Sequence, residues 1–75
     1  MKTAKEMFEK LGYEQRVNGF PLMQYYGEFR NGWMAIHFDS LNKEIFFECS
    51  CMASVELDEL QAINKQVEEL GWDNE

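Results

Sequence analysis

One proline, one histidine and two cysteines are spread through 75 residues, and each scarcity excludes something. With so little proline, and with 45% hydrophobic and 15% aromatic residues, the body of the chain does not read as a disordered linker. Long apolar runs are missing as well, and none approaches the ~20 residues that span a bilayer. The opening MKTAKEMFEK scatters charges and contains no apolar h-region, so no secretory signal is expected and the expected location is cytoplasmic. A chain of this size buries only about 60% of its unfolded surface, which makes one small, economical core the expectation.

Basic residues are scarce where acids crowd. Residues 56–75 carry Glu56, Asp58, Glu59, Glu68, Glu69, Asp73 and Glu75 against Lys65 alone, which places −6 of the net −7 there and leaves −1 for residues 1–55. That asymmetry argues against a phosphate backbone as main partner, since such binding needs clustered Lys and Arg. It suits either a solvated helix face or a surface for a basic protein, with Asp58, Glu59, Glu68 and Glu69 as the candidate contacts.

What the chain does have is punctuation. Thr3 and Glu6 have the spacing of a capping box, and Ala4, Met7, Phe8 and Leu11 fall on one helical face, so a helix is expected over 3–11. Gly12 supplies a left-handed stop, with Tyr13 folding back onto Phe8. The device recurs at the other end. Leu57, Leu60, Ile63, Val67 and Leu70 form an apolar stripe for a helix over 56–70, capped by Ser54 or Glu56 and stopped by Gly71, with Trp72 returning onto Val67 and a short tail over 72–75.

Between the helices the apolar period changes from that of a helix to that of a strand. Asn31-Gly32 between alternating residues predicts a two-residue hairpin joining strands 22–30 and 33–39. In that register Phe29 faces Met34, Gly27 faces Ile36 and Tyr25 faces Phe38, all on one apolar face. A third strand over 44–51 pairs Phe38 with Ile45, Ile36 with Phe47 and Met34 with Cys49. Residues 13–17 either join as a fourth strand, through Asn18-Gly19 and a longer loop or a bulge near Pro21, or stay outside the sheet. The expected fold class is α+β: a two-layer sandwich of an antiparallel meander of three or four strands with both helices on one face, formed by a single domain over 1–75.

Cys49-Ser50-Cys51 suggests a metal or redox site. Strand neighbours two apart lie nearly 7 Å apart on ordinary geometry, too far for an easy disulfide. Zinc needs two more ligands, and His37 points to the opposite face. Buried, reduced thiols are the expectation, with no metal and no cofactor. His37 with Asp39 resembles an oriented general base, yet no nucleophile or oxyanion hole accompanies it, so no enzyme activity is expected.

The outward sheet face offers more. Tyr26, His37 and Phe46 are expected to form a row across three strands, with Arg30 and Trp33 stacked at the hairpin end. The alternatives are an interface or a row of aromatic pairs that stabilises the sheet under other chain segments.

TAKEMFEKLGYE over 3–14 and ELQAINKQVEELGW over 59–72 resemble a group of short proteins of Firmicutes and their phages and prophages. The resemblance covers the two ends and not the strands between them. It implies a small cytoplasmic accessory protein and carries no functional residues with it. The function expected is a non-catalytic protein-interaction module, binding a protein partner or a second copy through Tyr26, Arg30, Trp33, His37 and Phe46, or a basic partner through the acidic helix. Single-stranded nucleic-acid binding on the open aromatic face is the alternative, weakened by the few bases around it.

Overall fold

The structure, a computed structural model, describes residues 2–29, 32–50 and 54–72. Its order is α1 (Ala4–Lys10), β1 (Tyr13–Asn18), β2 (Leu22–Phe29), β3 (Gly32–Asp39), β4 (Glu44–Cys49) and α2 (Leu57–Leu70). The strands form one antiparallel sheet in the order β1-β2-β3-β4, with both helices packed on one face.

Local chemistry sets the helix ends. Thr3 caps α1 through its hydroxyl, which accepts from the Glu6 N–H, while Glu6 returns a carboxylate oxygen to the Thr3 N–H at 2.9 Å. Gly12 at φ 101° turns the chain away, and Tyr13 comes back edge-on to Phe8 at 5.5 Å between ring centroids. Glu56 is the N-cap of α2, with its N–H held by Glu59 at 2.9 Å. Gly71 at φ 78° closes α2, the Trp72 N–H reaches the Val67 carbonyl, and the Trp72 ring packs toward Phe38.

The core is aromatic. Phe8 stacks on Tyr25 at 4.1 Å and meets Phe38 edge-on, and Ile36, Met34, Ala62 and Ile63 close around them. Complete burial of Phe8, Tyr25, Ile36 and Phe38 supplies about 1.5–3 kcal/mol per apolar side chain. Two of the buried rings carry hydroxyls, which need partners. Tyr13 donates to Glu59, and Tyr25 donates to Gln66 Oε1 at 2.6 Å while accepting from Gln15 Nε2 at 3.1 Å.

Those bonds correct the expected stripe of α2. The helix turns Glu59, Ala62, Ile63 and Gln66 toward the sheet, roughly a quarter-turn from the all-apolar stripe. Leu57 and Leu60 are left 68% and 46% exposed. Helix α1 is held to α2 by Glu69, whose carboxylate accepts from the Ala4 N–H at 2.8 Å.

The β3–β4 register matches expectation, with Phe38 opposite Ile45 and Met34 opposite Cys49. That of β2–β3 is shifted by two residues: Phe29 pairs with Gly32, Gly27 with Met34 and Tyr25 with Ile36. A shift of two leaves every side chain on its face, so hydrophobic alternation does not distinguish the two pairings. Gly27 makes room for the observed one. A Cβ there would lie 2.5 Å from the Phe29 ring, which folds over the glycine and meets Tyr13 at 5.1 Å. Residues 13–18 do join the sheet, and the irregularity falls at Arg16, between Gln15 and Val17, rather than near Pro21. Phe20-Pro21 is a cis peptide in the loop that follows. Cys49, expected to be buried, is exposed, because the helices leave this end of β4 uncovered; Cys51 lies outside the described residues.

Phe8→Ala should remove about 3–5 kcal/mol in urea titrations, a large share of the few kcal/mol available to so small a domain. Alkali should act through the two buried hydroxyls. Burial pushes Tyr25 up to about 12, and burial together with Glu59 pushes Tyr13 up as well. The folded state therefore keeps protons that the unfolded state begins to release near the ordinary tyrosine value of about 10. Stability should be flat below that pH and should fall as pH rises through the folded values. Tyr25→Phe should flatten the decline, as read by chemical denaturation at a series of pH values.

Candidate functional site

The sheet face opposite the helices is built from alternate residues of all four strands. Pairing sets Glu14, Tyr26, Ala35 and Glu48 in one row and Val17, Gln24, His37 and Phe46 in the next, with Glu28 and Trp33 toward the β2–β3 connection. Neither helix lies over it. Trp33 is 36% exposed and Phe46 47% exposed.

The two-residue shift rearranges the expected row. Tyr26 sits opposite Ala35 rather than His37, and its ring stacks on Trp33 at 5.9 Å with the planes 27° apart. Arg30 lies outside the described residues. Among the described residues the cation on this face is Arg16, whose guanidinium carbon lies 4.1 Å above the Tyr26 ring. The bulge in β1 contributes here, because it gives both Arg16 and Val17 to one stretch of the strand without displacing the pairing of Asn18.

His37 stands beside Phe46, as its register requires, and its Nε2 lies 2.7 Å from Glu48 Oε1. Asp39 does not orient it. The Asp39 carboxylate accepts from the Leu41 and Asn42 N–H groups and from Asn42 Nδ2, which shapes the β3–β4 turn and holds the carboxyl below its ordinary range, the Asn42 side chain being the main cause. Among the described residues, His37 is hydrogen-bonded to Glu48 and to no hydroxyl or thiol. No group of three or more His, Cys, Asp or Glu converges among them as a metal site. A shallow groove of about 420 Å³ is lined by Leu22, His37, Phe46, Phe47 and Glu48.

The acidic helix divides into two kinds of residue. Glu59 is engaged by Tyr13 and by the Glu56 N–H, and Glu69 by the Ala4 N–H. Asp58 and Glu68 are exposed, Glu68 lying 3.4 Å from Lys65. Half of the proposed acidic surface is thus committed to holding the fold.

Arg16 and Glu48 belong to this site and were absent from its expected contacts. Alternation carried the signal for both. With Tyr13 facing the core, Glu14 and Arg16 face out, and Glu48, opposite Ala35, is one diagonal step from His37. Chemically the face offers stacking surfaces, a cation over a ring, and carboxylates at Glu14, Glu28, Glu44 and Glu48 around them. Among the described residues no helix is long and apolar enough to cross a membrane.

Arg16→Ala should cost about 0.5–1 kcal/mol of stability, the value of an exposed cation–π contact. In a Trp72→Phe background, acrylamide should quench Trp33 readily, because its ring is open to water and the remaining emission reports this face alone. Comparison with protein-family models, with curated proteins and with solved structures returns no match to this chain.

Proposed function

We propose that this chain is a small, non-catalytic protein-interaction module that engages a protein partner through the outward sheet face. The observation that carries this reading is the group of Tyr26, Trp33 and Phe46 with Arg16 on a face that neither helix covers, His37 standing beside Phe46 with its side chain 15% exposed. Aromatic and Arg side chains grouped in the open are the residues that interfaces favour. The resemblance of the two ends to short phage and prophage proteins adds the context of a cytoplasmic accessory role.

Charge narrows the partner. Among the described residues Glu14, Glu28, Glu44 and Glu48 border the face, against Arg16 over Tyr26. A partner segment that brings Lys or Arg to this rim and an apolar or aromatic side chain to its centre is the complementary surface. The same rim works against a single-stranded nucleic acid, whose phosphates would run beside carboxylates even where its bases could stack. Face-to-face packing of two copies is opposed on the same ground. The acidic helix is the weaker candidate because Glu59 and Glu69 are already bonded.

The test is differential capture from a Firmicutes host lysate, with folding checked by circular dichroism. Tyr26→Ser with Trp33→Ser should lower recovery of a specific protein by at least about tenfold, as expected when two hot-spot aromatics are lost. Asp58→Lys with Glu68→Lys should leave it unchanged. The reverse pattern would move the function to α2, and salt-sensitive binding of a labelled oligonucleotide would move it to nucleic acid.

A further inference from the structure

Among the described residues β4 is an edge of the sheet, and the direction of its backbone groups can be identified. Ser50 donates its N–H to the Trp33 carbonyl at 3.1 Å, continuing the β3–β4 pairing by one residue. Hydrogen-bonded pairs recur at every second residue of an antiparallel ladder. Glu44, Phe46 and Glu48 therefore direct their N–H and C=O groups toward β3, and Ile45, Phe47 and Cys49 direct theirs outward, where among the described residues no strand lies.

The two edges of the sheet are unlike. β1 is interrupted at Arg16 and carries Glu14 and Arg16, features that discourage further pairing. β4 runs without a bulge; its helix side is apolar, with Phe47 46% exposed, and on its outward side Phe46 stands between Glu44 and Glu48. Helix α2 leaves a matching opening. Leu60 lies nine residues from Glu69, which holds α1, and nine steps of about 100° bring it to the opposite flank of the helix. Since α1 lies over β1, that flank faces the β4 side.

We infer that β4 pairs antiparallel with β4 of a second copy, extending the sheet to eight strands with the helices of both copies on one side. A two-fold axis perpendicular to the sheet keeps like faces together, so the outward groups of Ile45, Phe47 and Cys49 meet their own kind. Centred on Phe47, the ladder sets Phe47 against Phe47 of the second copy and Ile45 against its Cys49, all on the helix side beside the two Leu60 side chains. On the outward side Phe46 meets Glu48. Centring on Phe46 instead would oppose Glu44 and Glu48 at both ends, like charges directly across. Centring on Ile45 would run Phe47 against Lys43, which has left the extended region at φ 56°. Of these three registers, the Phe47-centred one satisfies three residues of edge backbone without opposing charges. It goes beyond the sheet-face reading and enlarges its surface, since the two outward faces become continuous across the seam.

Light scattering over a concentration series should reach twice the 8.9 kDa chain mass, with amide exchange at Ile45, Phe47 and Cys49 slowing as the dimer fills. Added salt should tighten it, because copies carrying −7 each repel at low ionic strength. Phe47→Pro deletes an outward N–H and no β3–β4 bond, so the monomer should keep its circular dichroism while the dissociation constant rises at least about tenfold. Phe47→Lys keeps the N–H but sets like charges across the axis, and should also give monomers. A strict monomer at millimolar concentration overturns the inference. So does a dimer that survives both Phe47 variants, or protection of these amides that appears only with another protein bound. Tyr26→Ser with Trp33→Ser should leave the mass unchanged, so failure of the sheet-face function and failure of the edge pairing are read separately.

Discussion

Two phenolic hydroxyls facing the helical layer determine how this fold is assembled. A tyrosine ring supplies core volume, but its hydroxyl must find a partner or forfeit the gain of burial. Tyr13 and Tyr25 find theirs on α2, at Glu59 and Gln66. Those residues lie seven apart, two turns of one helical face, so satisfying both hydroxyls fixes the rotation of the helix. The choice of rotation decides the rest: Ala62 and Ile63 are buried, Glu69 reaches α1, and Leu57 and Leu60 remain outside.

The parts of this architecture that depend on local chemistry are legible in the sequence. Both helices announce themselves through cap residues and apolar spacing, and the strands through alternation. The parts that depend on contacts between distant elements are not. Periodicity in α2 nominates Leu57 and Leu60 for the core, and only the tyrosines across the layer explain why Glu59 and Gln66 take the inward positions. The β2–β3 register is hidden for a different reason, since a slip of two preserves every face. Its resolution rests on Phe29 lying over Gly27, a contact within one strand. The same slip limits what could be read of the outward face. Its members were legible from alternation, whereas Tyr26 against Trp33, and His37 against Glu48 rather than Asp39, required the observed pairing.

The molecule thus separates its tasks by face. The helix side spends its aromatic residues on Phe8, Tyr13, Tyr25 and Phe38, and the polar partners there serve stability. On the other side, stacked rings and an Arg lie under no helix or strand among the described residues, on the same face as the buried Ala35. A small domain rarely leaves so many aromatic atoms in water without a use for them.

The bond from Ala4 to Glu69 also has a bearing on synthesis. A ribosome delivers α1 before the α2 residues that hold it, so the four strands are made while their helix-side face has only α1, a helix of seven residues, to shelter it. So short a helix is marginal without packing. The nascent meander would expose Tyr25, Ile36 and Phe38 until α2 leaves the exit tunnel, and folding becomes a single late event rather than a gradual accretion. The meander is therefore open to chaperones, proteases and its own neighbours until α2 is free to pack on it.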